Sequence, residues 1–200
     1  MWLRVATICA LVVVSASFQH SPERAMAGDR PRCTIRGTQN SELLVGTRRK
    51  DVICGLGGAD SIQARAGNDL VLAGRGDDIV FAGRGRDRVN GGSGADSVLG
   101  RSGHDRIFGN RGRDSLQGDQ GRDQLSGGRG RDRLFAEDAK AADVIAGGLG
   151  DDPCLWSRDG TGGDAVRGGP GDDVFNSDRK DSTKGVERSR RCRAGAVVID

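Results

Sequence analysis

The 200-residue sequence predicts an all-β fold, a parallel β-roll (β-solenoid) of nonapeptide repeats with disulfide-stapled ends. Three observations predict it. One nine-residue pattern is written eleven times without a break from Gly37 to Phe135, and a short fixed period is how a stacked solenoid appears in sequence. Glycine takes 34 of the 200 positions while aromatics are 4% and tyrosine is absent, so an ordinary layered core cannot be filled. Four of the five cysteines, all but Cys9, fall in two pairs, Cys33 with Cys54 and Cys154 with Cys192, one pair toward each end of the repeats.

In chain order, residues 1–27 read as a secretory signal peptide. Arg4 supplies the positive end, Val5 to Phe18 is an apolar run, and Ala25-Met26-Ala27 is an A-x-A cleavage site before Gly28. The run is too short for a membrane span; the alternative is an N-terminal anchor. Cys9 lies too deep in it to be a lipid attachment site. The expected location is secreted and extracellular, with cell-surface association open, and the chain after Gly28 is the size of one domain. Residues 28–36 form an N-terminal cap, 37–176 the roll (regular over 37–135, irregular over 136–176), and 177–200 a charged C-terminal tail or cap.

Gly91-Gly92-Ser93-Gly94-Ala95-Asp96-Ser97-Val98-Leu99 is the cleanest copy. Glycine recurs at the first, second and fourth places, where positive φ and close backbone approach cost it nothing. The eighth place is always branched and aliphatic, from Leu44 and Ile53 to Leu125 and Leu134. The last three places therefore make a short strand with the eighth side chain inward and the seventh and ninth outward. Two units form one flattened coil, so each unit stacks on the next but one in a parallel ladder about 4.8 Å away.

The sixth place carries the chemistry. It is Glu42 in the first copy and then Asp51, Asp60, Asp69, Asp78, Asp87, Asp96, Asp105, Asp114, Asp123 and Asp132. Stacking puts Asp60, Asp78, Asp96, Asp114 and Asp132 on one edge and the other five on the opposite edge. Carboxylates about 5 Å apart repel by roughly 3 kcal/mol per pair at an effective dielectric near 20. One buried aliphatic side chain per nine residues does not offset that together with the cost of ordering the backbone. A cation between turns does, taking oxygens from two Asp side chains and from carbonyls of the glycine-rich turns. Oxygen-only ligands in a flexible backbone loop suit Ca²⁺ better than Mg²⁺, and no Cys/His cluster favours zinc. The competing reading, tight turns with Asx caps, explains one copy but not eleven in register.

These repeats resemble the haemolysin-type calcium-binding repeats of RTX proteins, continuously over Gly37 to Phe135 and brokenly to Asn176. Cys33-Thr34-Ile35-Arg36-Gly37-Thr38 and Asp51-Val52-Ile53-Cys54-Gly55 also resemble small secreted actinobacterial calcium-binding proteins. The resemblance implies a parallel β-roll with several Ca²⁺ ions held between turns by the sixth-place Asp and backbone carbonyls. Carried over residue by residue, the metal ligands are the ten Asp from Asp51 to Asp132, together with Asp143, Asp152, Asp164 and Asp173 in the irregular part. Family members often carry Asn or Asp at the fifth place, as Asn68 and Asp77 do here. Later units have Arg86, Arg113, Arg122 and Arg131, with His104, which stack as Arg86–His104–Arg122 on one edge and Arg113–Arg131 on the other. Cations there should weaken a cation site, so tighter binding is expected in the early units.

Three pairings of the four cysteines are possible on paper. Pairing within each end, Cys33–Cys54 and Cys154–Cys192, would staple terminal coils that lack a neighbour on one side. Alternatively Cys154, at an eighth place, is a small buried hydrophobe. After Ala136-Glu137, Asp143 with Ile145 and Gly147 to Asp152 resume the pattern. Trp156 interrupts it and is expected to cover the exposed end of the core. Asp164 with Val166 and Gly168 to Asp173 with Phe175 follow as capping units.

Three functions are distinguishable. The first is a non-catalytic, secreted Ca²⁺-binding roll that folds on meeting extracellular calcium. The second is a module whose arginines (Arg84, Arg86 and Arg88; Arg129, Arg131 and Arg133) bind anionic wall or matrix polymers such as teichoic acids, acidic polysaccharide or nucleic acid. Interleaved acidic residues and few aromatics weigh against it. The third, an enzyme, finds no support. His104 is the one histidine after the leader, no nucleophile–base pair can be assembled around it, and the repeated G-x-G pairs belong to the nonapeptide rather than to a nucleotide site.

Overall fold

The computed structural model describes residues 31–136, 141–157 and 163–176, together with the backbone of Ser182–Lys184. The expected signal peptide and Cys192 lie outside the described residues. The described part is all strand, wound as a parallel solenoid of about seven turns. Odd-numbered strands form a nine-stranded sheet: β1 (Ile35–Arg36), β3 (Val52–Gly57), β5 (Leu70–Arg75), β7 (Arg88–Ser93), β9 (Arg106–Gly112), β11 (Gln124–Gly130), β13 (Val144–Leu149), β15 (Ala165–Arg167) and β17 (Ser182–Lys184). Even-numbered strands form the facing eight-stranded sheet: β2 (Leu43–Val45), β4 (Ser61–Gln63), β6 (Ile79–Arg84), β8 (Ser97–Ser102), β10 (Ser115–Gln117), β12 (Arg133–Phe135), β14 (Cys154–Trp156) and β16 (Phe175–Asn176). Within the segment read as a charged tail or cap, β17 adds a rung beside β15.

The eighth place is the core. Ile53, Val71, Val89, Ile107, Leu125, Ile145 and Val166 stack along the first sheet. Leu44, Ile62, Val80, Val98, Leu116, Leu134 and Leu155 stack along the second. Nearly all are fully buried, and Ile35 and Phe175 pack against the cluster. Repeating the same side chain on every rung lets each coil bury its neighbour's aliphatic face, which no coil could do alone.

Several strands run to six or seven residues where three were expected. They continue through places one to three of the next unit: Leu72 pairs with Asn90 and then Gly74 with Gly92. A positive φ at the second place, 124° at Gly74, returns the chain to the ladder. At the fourth place Gly85 (φ 131°) passes so close to the carbonyl of Gly67 that a Cβ there would overlap it. Glycine is required by both conformation and contact.

The N-terminal disulfide forms as expected between Cys33 and Cys54, with Cα atoms 5.9 Å apart. Cys154 requires a correction: it occupies a seventh place, opposite Arg133, while Leu155 takes the eighth place opposite Leu134. Pro153 causes the slip. Elsewhere the seventh-place N–H donates to the Asp carbonyl one coil earlier, as Arg133 does to Asp114 at 2.8 Å, and proline has no N–H to give. Trp156 also differs from expectation. It is a ninth-place residue on the outside of the second sheet, packed with Phe135, Cys154 and Val174 rather than over the end of the core.

Candidate metal centre

From Asp60 onward each sixth-place carboxylate accepts the sixth-place N–H of the coil before it, beginning with the Glu42 N–H on Asp60. The N–H of Asp60 donates to Asp78 Oδ1 at 2.8 Å, that of Asp78 to Asp96 at 3.0 Å, and that of Asp96 to Asp114 at 2.9 Å. On the opposite edge Asp69, Asp87 and Asp105 repeat the relation at 2.8 Å each, ending on Asp87, Asp105 and Asp123. Both ladders cross the insertions without losing step: Asp123 reaches Asp143 and then Asp164, and Asp132 reaches Asp152 and then Asp173. From Asp60 to Asp173 these residues are at most 2% exposed, and Asp51, at 5%, begins the second ladder by donating its N–H to Asp69 Oδ1. All fourteen predicted aspartates therefore stand in two buried ladders.

One carboxylate oxygen is left over. Oδ2 of Asp60, Asp69, Asp78, Asp87, Asp96, Asp105, Asp114, Asp132, Asp152 and Asp173 is buried with no hydrogen-bond partner among the described residues. Oδ2 leans toward the first-place residue of its own unit: a Cβ on Gly100 would stand 2.7 Å from Asp105 Oδ2, and one on Gly118 2.6 Å from Asp123 Oδ2. Glycine there clears room for the carboxylate. A buried charged oxygen with no partner is expensive unless a counter-charge or a proton meets it.

The carboxyls respond to that deficit. Burial pushes Asp78 and Asp87 up to about 6 and Asp96, Asp105, Asp114 and Asp152 up to about 7. The N–H from the preceding turn pulls the other way, and neighbouring carboxylates, such as Asp60 on Asp78 and Asp87 on Asp105, add to the rise. A divalent cation fits this donor set because it supplies the positive charge that Oδ2 lacks. Among the described residues no three His, Cys, Asp or Glu side chains converge, so a cation held by these carboxylates would draw its further ligands from backbone carbonyls of the turns. That composition is oxygen-only, as a hard cation prefers.

Two features were not legible in the repeat. Asp51 is exceptional: its Oδ2 accepts from the Thr47 N–H at 2.7 Å and the Thr47 hydroxyl at 2.9 Å, and the Thr34 hydroxyl reaches Oδ1 at 3.3 Å. Its carboxyl lies below the usual range, chiefly because of the Thr47 N–H. Glu42 is served likewise by the Thr38 N–H and hydroxyl, at 2.7 and 3.0 Å. Threonine at the second place was the available signal.

The fifth place is the other feature. Its side chain caps the fifth-place N–H one coil later: Asn68 accepts from Arg86 at 2.8 Å, Asp77 from Ala95 at 2.7 Å, His104 Nδ1 from Arg122 at 2.8 Å and Asp151 from Asp172 at 2.9 Å. Its Asn and Asp thus close the ladder's outer margin rather than turning inward.

The family model of the RTX calcium-binding nonapeptide repeat matches residues 36–71, 45–80, 63–98, 72–107, 99–134 and 157–179, together more than half of the chain. No curated protein matches the chain significantly.

Proposed function

The chain belongs to the RTX calcium-binding nonapeptide repeat family, and on that premise we propose that it is a secreted, non-catalytic protein that binds several Ca²⁺ ions between stacked turns. The observation that carries this reading is the row of buried Oδ2 atoms on Asp60, Asp69, Asp78, Asp87, Asp96, Asp105, Asp114, Asp132, Asp152 and Asp173 that have no hydrogen-bond partner among the described residues. Asp60, Asp69, Asp78, Asp87, Asp96, Asp105, Asp114, Asp123, Asp132, Asp143, Asp152, Asp164 and Asp173 would hold the ions with turn carbonyls. Asp51, already served by Thr47, marks the margin of the set. Bound Ca²⁺ supplies positive charge between coils. The chain's own residues supply a ladder that fixes each carboxylate at Oδ1 and an aliphatic core that aligns successive turns. Because the ligand ladder exists only in the folded roll, binding free energy becomes folding free energy, and extracellular calcium drives folding.

Secretion rests on the Arg4, Val5–Phe18 and Ala25-Met26-Ala27 pattern, and mass spectrometry of the exported chain should find Gly28 at its N-terminus. The calcium reading is tested by far-UV circular dichroism of the chelator-treated, disulfide-intact protein. A cooperative rise in β signal with Ca²⁺, absent with equal Mg²⁺, is expected; a spectrum indifferent to both ions and chelator would overturn it.

A second reading, recognition of anionic polymers by the arginine rows, gains from one observation. The Asp residues that alternate with arginine in sequence are buried, so the surface keeps the arginines without them.

A further inference from the structure

We propose that the turn edge carrying Arg86, His104 and Arg122 is a binding site for the phosphate groups of a phosphodiester polymer. The proposal deepens the polymer reading above and rests on it. A cavity of about 600 Å³ lies on this edge, lined by Arg86, His104, Arg106, Arg122, Gln124 and Ala141, with Asp105 beneath. The four cationic or ring side chains are exposed. The three aspartates beside them, Asp87, Asp105 and Asp123, are at most 1% exposed, and Oδ1 of Asp105 and of Asp123 accepts a ladder N–H. Asp119, an acidic neighbour of Asp105, is half-buried and bonded by the Gln117 amide. Along this edge the fold sorts the alternating charge, with the sixth-place aspartates inward and the fifth-place bases outward.

The donors come from three successive coils. Arg86 lies on the first, His104 and Arg106 on the second, and Arg122 on the third, with coils about 4.8 Å apart. His104 Nδ1 accepts the Arg122 N–H at 2.8 Å, so the neutral ring carries its hydrogen on Nε2 and keeps a donor to offer. The same bond ties the ring to the backbone of the next coil. A carboxylate is planar and is satisfied by a single guanidinium edge. A phosphate presents oxygens in several directions and takes donors from more than one side. Arginines stepped over three rungs around one concavity suit the second. The volume lies within the roughly 300–1,000 Å³ of ordinary ligand sites, so it admits a phosphate with its linking group. The opposite edge makes the contrast: there Arg113 and Arg131 are bracketed on the same fifth-place row by the exposed carboxylates of Asp77 and Asp151.

The test uses the full chain, disulfide-oxidised and saturated with Ca²⁺, and fluorescently labelled poly(glycerol phosphate) followed by anisotropy. The double variant Arg86→Ala/Arg122→Ala should weaken binding about tenfold or more, as loss of charge-assisted hydrogen bonds does. Arg113→Ala/Arg131→Ala on the opposite edge should stay within about twofold of the parent on the same scale. Circular dichroism of the calcium-saturated protein should be unchanged in both. If the first pair disturbs the fold, Arg106→Gln takes its place with the same expectation. Equal losses from both pairs would overturn the cleft while leaving polymer recognition standing. Displacement by polygalacturonate as effective as by unlabelled phosphate polymer would overturn the phosphate assignment. A parent protein that binds neither polymer would overturn both readings.

Discussion

The first coil and the coils after it solve one electrostatic problem in two ways. In residues 37–54 the sixth-place carboxylates of Glu42 and Asp51 are met by the N–H and hydroxyl of Thr38 and Thr47. None of Thr38, Asn40, Thr47 and Arg49, at second and fourth places, has a positive φ. The same coil carries the Cys33–Cys54 disulfide. At Asp60, Asp69, Asp78, Asp87, Asp96, Asp105, Asp114 and Asp132 the second and fourth places turn left-handed, no threonine stands at the second place, and Oδ2 is buried with no hydrogen-bond partner among the described residues. The lesson is that a nonapeptide turn stands on its own only when its second residue brings a donor to the carboxylate. Otherwise it needs a charge from outside. On the proposed calcium reading, the first coil is expected to be a metal-independent end on which calcium-dependent coils stack, because in a solenoid each coil contacts mainly its neighbours.

Chelation should break the comparison open most widely. Amide hydrogen exchange after calcium removal should lose protection across 60–135 while the amides of 44–54 stay protected. Uniform loss would show that the first coil has no stability of its own. Next in size are matched substitutions. Asp96→Asn removes an unpartnered carboxylate and should raise the calcium midpoint by about tenfold, because a ligand charge is lost. Asp51→Asn should leave that midpoint in place and cost about 1–2 kcal/mol of stability by urea denaturation. Equal midpoint shifts would put Asp51 among the ligands.

Acidity offers a smaller lever, with opposite signs in the two regions. In the calcium-free chain, carboxyls raised to about 6 or 7 stabilise the fold when protonated, and that contribution fades as pH rises from near 4 through 7. Acidifying the chelated protein from pH 8 to 5 should therefore increase its β signal, whereas calcium affinity should fall over the same interval because protons and metal compete for one oxygen. Asp51, whose carboxyl is lowered, contributes above the ordinary carboxylate range and loses its contribution on acidification below it. A flat apo spectrum between pH 8 and 5 would contradict the raised carboxyls. Smallest of all, Thr47→Val deletes one hydroxyl bond to Asp51 and should cost about 1 kcal/mol, seen as lower protection confined to the first coil.

The nine-residue period by itself determined the stacking of every second unit, the inward eighth place and the two aspartate ladders. It could do so because each is a consequence of a repeat distance, and the repeat is the same wherever it is read. What only the tertiary structure decided depends on which backbone group comes round one coil later. Asp51 and Asp60 are the same letter in the same place, yet Thr47 meets Oδ2 of one, while Oδ2 of the other has no hydrogen-bond partner among the described residues. Asn68 and His104 do unlike chemistry in isolation but each caps the fifth-place N–H one coil later, that of Arg86 and that of Arg122. Pro153, by withholding one N–H, moved Cys154 outward and brought Leu155 into the core. Arginine and aspartate alternate along much of the chain, and only winding it showed that the sixth-place aspartates are buried while fifth-place arginines stay exposed, because the interior had N–H groups to offer a carboxylate and the exterior had water.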